Sequence, residues 1–99
     1  MVSDSTDAAE VVAELTSRWR ERYSAVAEFE LKYTPGYLAD VVVRRVGAGT
    51  PSFSVVGIGR ELILEHHQPG LGGRWEILND DAGRSQLERR VTATIERWT

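Results

Sequence analysis

Residues 25–33 read Ala25-Val26-Ala27-Glu28-Phe29-Glu30-Leu31-Lys32-Tyr33, and this stretch decides the fold. Ala25, Ala27, Phe29, Leu31 and Tyr33 alternate with Val26, Glu28, Glu30 and Lys32. A period of two sends one set to a buried face and the other to water, as in a strand covered on one side. Just upstream the period is helical, with Ala8, Val12, Leu15, Trp19 and Tyr23 recurring every three or four residues and Val11 widening the stripe. Asp7 followed by Glu10 outlines a capping box, with Ser5 and Thr6 as alternative caps. The helix is expected to run from Asp7 to about Tyr23-Ser24, with Glu14 and Arg18 as a favourable i,i+4 pair on its wet side.

Downstream the period of two continues. Thr34-Pro35-Gly36 places Pro and Gly where a tight turn uses them, and residues 37–46, with the β-branched run Val41-Val42-Val43, predict a second strand. Residues 47–51 form a loop, and residues 53–58 predict a third strand, with Gly57 and Gly59 suggesting a bulge or turn at its end. Residues 61–67 alternate Leu62, Leu64 and His66 with Glu61, Ile63, Glu65 and His67, a fourth strand. Residues 68–73 are a Gly-rich loop, and residues 74–78, carrying Trp75 and Ile77, a short fifth strand. Asn79-Asp80-Asp81 supplies caps for a last helix, Ser85 and Glu88 a later capping box, and Leu87, Val91, Ile95 and Trp98 one apolar stripe. The order is thus α-β-β-β-β-β-α. Short loops exclude the crossovers that parallel strands need, so the expected fold is α+β and two-layered, an antiparallel five-strand meander with both helices on one face.

Composition sets the class. The chain has 99 residues, 41% hydrophobic and 27% charged, with a formal charge of −3. This is enough for one domain over residues 1–99, with residues 1–6 expected as a flexible N-terminus. Cysteine is absent, which removes disulfides, thiol catalysis and Cys-based metal sites. No run reaches the ~18 apolar residues of a membrane span, so no membrane partner is expected. The acidic start, residues 1–7, argues against a secretory or basic transit peptide, so the expected location is cytoplasmic. Lys32 is the single lysine beside eleven arginines, which reads as coding bias in a GC-rich, bacterial genome.

Catalytic patterns are missing. There is no Gly-x-Ser-x-Gly elbow, Asp80-Asp81 is better explained as a cap, and Gly47-Ala48-Gly49 and Gly57-Ile58-Gly59 lack the spacing of a phosphate loop. His66 and His67 are adjacent in a strand and point to opposite faces, so they cannot share an ion. Glu65 and His67, with Glu61 or Asp40, fall short of a recognisable metal set. No enzyme activity, cofactor or metal is therefore expected. Nucleic-acid binding would draw on Arg18, Arg20, Arg22, Arg44, Arg45, Arg89 and Arg90, but Glu14, Glu21, Glu88 and Glu96 are interleaved with them and nucleic acid is not the expected partner.

The middle strands carry a surplus. Once the helix-facing set is counted, Val42, Val46, Val56 and Ile58 remain on the second face, flanked by Glu28, Glu30, Lys32, Glu61 and Glu65. Contiguous exposed apolar surface marks a partner site, often that of a symmetric dimer. The expected function is a non-enzymatic protein-binding module of adaptor, chaperone-like or toxin-neutralising type, a homodimer through this face or a strand edge, with Val42, Val46, Val56 and Ile58 as partner-binding residues. The alternative is a carrier of a small apolar ligand, its sheet curled into a cup lined by Tyr33, Tyr37, Phe53 and Trp75 and closed by the loop 68–73.

Overall fold

The structure, a computed structural model, describes residues 7–67 and 73–99. The expected terminal segment 1–6, the caps Ser5 and Thr6, and most of the loop 68–73 lie outside them. In chain order the elements are α1 (Ala8–Tyr23), β1 (Ala27–Thr34), β2 (Leu38–Arg45), β3 (Phe53–Ile58), β4 (Glu61–His66), β5 (Arg74–Leu78) and α2 (Asp81–Glu96). The sheet is an antiparallel meander in the order β1-β2-β3-β4-β5, and the α+β order read from the periodicities holds throughout.

Local chemistry accounts for the ends. Asp7 caps α1 by accepting from the Ala9 N–H at 3.4 Å, and Asp80 caps α2 by accepting from the Gly83 N–H at 2.7 Å. Each supplies an acceptor to an amide that the helix itself leaves without one. Ser85 and Glu88 lie inside α2 rather than at a cap. In the β1–β2 turn the Tyr37 N–H donates to the Thr34 carbonyl, with Pro35 and then Gly36 at φ 77° in the central positions, a type II turn.

Register fixes the faces. Pairings such as Phe29↔Val43, Val41↔Val55, Val55↔Leu64 and Leu62↔Ile77 put these residues on one side of the sheet. That side meets both helices. α1 lies over β1, β2 and β3, and α2 over β4 and β5. The core contains Val11, Val12, Leu15 and Trp19 from α1, Val41, Val43, Phe53, Val55, Leu62 and Leu64 from the sheet, and Leu87, Val91 and Ile95 from α2.

Two glycines allow this packing. A Cβ on Gly57 would lie 2.2 Å from the Ala8 carbonyl oxygen, and one on Gly83 would lie 1.8 Å from that of Leu78. Gly57 is therefore a strand residue on which α1 rests, not a bulge or a turn; the turn uses Gly59, at φ 58°. Both helices start at this end, where the Ala8 N–H donates to Gly59 O and the Asn79 N–H to Arg60 O. They run side by side in the same direction, joined by Arg18–Glu88 at 3.0 Å, Arg22–Glu96 at 3.8 Å and the Tyr23 hydroxyl donating to Glu96 at 3.2 Å. Among the described residues no helix is long and apolar enough to cross a membrane.

Candidate functional site

With both helices on one face, no described element lies over the other face of the sheet. Along β2 it presents Leu38, Asp40, Val42 and Arg44, opposite Ile58, Val56 and Ser54 of β3. β4 and β5 add Ile63 opposite Val56 and Leu78 opposite Glu61. Val42 and Val56 are half-buried by their neighbours, and Ile58 and Leu78 are exposed. Val46 lies one residue beyond β2, exposed, its N–H donating to the Val26 carbonyl. The outer face thus gathers Val42, Val56 and Ile58 into one apolar band, with Val46 off its end.

Sequence reading omitted three members of that band. Leu38 falls beside the turn, Ile63 sits between two glutamates and Leu78 ends its strand, so each looks isolated in one dimension. Only the cross-strand register joins them. Charge borders the band on both sides, with Glu28, Glu30 and Lys32 on β1 and Glu65, Arg74 and Glu76 around β5.

Two polar groups interrupt it. Asp40 Oδ1 and Arg44 Nε are buried and reached by no hydrogen bond. Buried polar atoms almost always find partners, because leaving one without costs about 1–3 kcal/mol. These two belong to side chains of opposite charge, on the same face of the same strand, with Val42 midway between them.

The remaining predicted residues are dispersed. Tyr33 and Tyr37 sit exposed at the β1–β2 hairpin end, Phe53 is fully buried and Trp75 half-buried near the other end. The structure splits the four supposed cup residues two and two. His67 is exposed, its Nε2 3.0 Å from Ser54 Oγ, whereas His66 is half-buried on the helix-facing side. No cluster of three or more His, Asp or Glu side chains that could hold a metal occurs among the described residues. Arg18 and Arg22 are tied to Glu88 and Glu96, so they do not join Arg89 and Arg90 as free positive charge. Comparison with protein families, curated proteins and solved structures returns no match.

Proposed function

We propose that the protein is a non-enzymatic binding module that works through its uncovered sheet face, and that the first occupant of that face is a second copy of the chain. The observation that carries this reading is the apolar band of Leu38, Val42, Val56, Ile58 and Ile63 on a face that no described element covers, with Asp40 and Arg44, of opposite charge, flanking Val42. A two-fold axis lying in the interface and crossing β2 at Val42 runs β2 antiparallel over its copy. Asp40 of one protomer then faces the partner's Arg44, and the pair occurs twice, as an isologous contact requires. By the same register Lys32, opposite Asp40, faces the partner's Glu28, opposite Arg44. On the axis Val42 and Ser54 meet their own copies. So do Glu30, at the solvated β1 edge, and Glu65, whose charge Arg74 offsets at 3.9 Å.

Size is consistent with this. Five strands about 4.8 Å apart and about six residues long present a face of roughly 24 by 20 Å. That projection, about 480 Å², lies at the small end of specific interfaces, below the ~800 Å² per partner of a standard one. In that register Val42 meets its own copy and Val56 and Ile63 lie over the polar row of Ser52 and His67 in the other protomer, so the band is covered by a layer about 10 Å away without packing against itself.

The test is oligomeric state against concentration. The wild-type chain is expected to sediment as a dimer at micromolar concentration. Val56→Asp is expected to give a folded monomer, since burying an uncompensated carboxylate costs several kcal/mol and leaving it exposed on a free face costs little. A wild-type monomer at all concentrations, or a Val56→Asp dimer of unchanged affinity, contradicts the reading.

A further inference from the structure

The helix-side layer holds a second feature, independent of the sheet face. Where the C-terminal half of α2 leaves the sheet, an open groove of about 610 Å³ remains, within the range of sites for small organic ligands. Arg89 and Arg90 line it from α2, Arg97 from the residue that caps α2, Arg45 from the end of β2, and His66, Trp75 and Trp98 supply its aromatic surfaces.

Its charge is one-signed. Among the described residues no aspartate or glutamate lines the groove, although acids outnumber bases in the chain, fifteen to twelve. The acids of α2 are turned elsewhere. Glu88 and Glu96 face α1 and hold Arg18 and Arg22, while Arg90 and Arg97 occupy another strip of the same helix. Arg45, Arg90 and Arg97 form no ion pair among the described residues.

The aromatic side is continuous. Trp98 stands 6.3 Å from Phe53, Phe53 5.7 Å from His66, and His66 5.4 Å from Trp75, edge to face. The Arg90 guanidinium lies over the Trp75 ring, 4.6 Å from its centroid. Stacking holds the arginine's plane without using its N–H donors, which remain free to bind an oxyanion in a forked contact. His66 registers the resulting field. Burial, and then the charges of Arg97, His67 and Arg90, hold its imidazole below the ordinary value of 6.5.

We propose that this groove binds a small nucleoside phosphate, its phosphates held by Arg90, Arg97 and Arg45 and its base against the Trp75–Trp98 side. Four arginines call for a ligand with more than one negative charge, and the half-buried indoles of Trp75 and Trp98 call for a planar ring. Neither inorganic phosphate nor an uncharged nucleoside meets both demands. The volume of the groove suits a single nucleotide rather than a strand.

Calorimetry of the full chain with ADP, inorganic phosphate, adenosine and an oligothymidylate tests this. ADP is expected to bind saturably and at least tenfold more tightly than phosphate or adenosine. Arg90→Ala with Arg97→Ala is expected to weaken it by tenfold or more for each arginine, as loss of charge-assisted bonds implies. Removing two arginines elsewhere, Arg18→Ala with Arg60→Ala, is expected to change it less than threefold. In the wild-type chain ADP is expected to raise the His66 pKa, read from its imidazole resonances. Absent ADP binding up to millimolar concentration, equal affinity for phosphate alone, tighter binding of the oligothymidylate, or equal losses in both double variants overturns the proposal.

Discussion

Gly57 shows how one hydrogen atom in place of a methyl sets the spacing of two layers. Its missing Cβ is the space taken by the Ala8 carbonyl and by Val12 Cγ2, 2.7 Å from where that Cβ would sit. Ala8 is backbone at the start of α1 and cannot rotate away. Gly57→Ala is therefore expected to cost about 3 kcal/mol or more, the upper end for overpacking. In a chain of this size that lowers Tm by roughly 10–20 °C in a melting experiment. Gly49 has open space around it and no positive φ, so Gly49→Ala is expected to leave Tm within about 3 °C or to raise it slightly. Equal losses at the two sites would show that the clash at Gly57 relaxes freely. Sequence alone points to Gly57 only as a place where a strand weakens. The contact that requires glycine comes from Ala8, almost fifty residues earlier in the chain, and no local pattern encodes it.

The elements were legible because each has a single clean period. The alternation from Ala27 to Tyr33 and the stripe from Ala8 to Tyr23 change at one place, and Asp7 and Asp80 mark both helix starts with their own side chains. Less legible was how an element divides its polar residues among neighbours. On α2 the series Glu88, Arg89, Arg90, Glu96, Arg97 reads as mixed solvated charge, yet the acids face α1 and the arginines at 90 and 97 face the groove. The sheet and α2 meet at His66, and this contact has a pH signature. Because its folded pKa is depressed, the unfolded chain binds a proton that the folded chain resists. The stability His66 contributes is thus complete above about 6.5 and is lost as pH falls below it. Thermal melts between pH 7 and 5 are expected to show Tm falling with pH, and His66→Asn is expected to flatten that slope whatever it does to Tm itself. An unchanged slope in the variant would place the titrating group elsewhere.

At the scale of the whole molecule, the two helices cover only one face of five strands, and the proposed self-association follows from that imbalance. The apolar surplus of Val42, Val56 and Ile58 was visible in the sequence, because three consecutive valines in a strand cannot all face one side. The members Leu38, Ile63 and Leu78, and the orphaned Asp40 and Arg44, needed the register. The groove beside α2 lies on the opposite layer, so nucleotide binding and self-association can each fail without the other.

The two-fold arrangement about Val42 makes a demand that few other packings share. Asp40→Arg places arginine against the partner's Arg44, and Arg44→Asp places aspartate against the partner's Asp40, so each variant alone repels its own copy. Mixed together, the two variants pair Arg with Asp at both positions. The decisive measurement is sedimentation of each variant separately and of the equimolar mixture. Two monomers that combine into a heterodimer on mixing are the predicted result, and variants that dimerise alone, or a mixture that stays monomeric, would contradict the account.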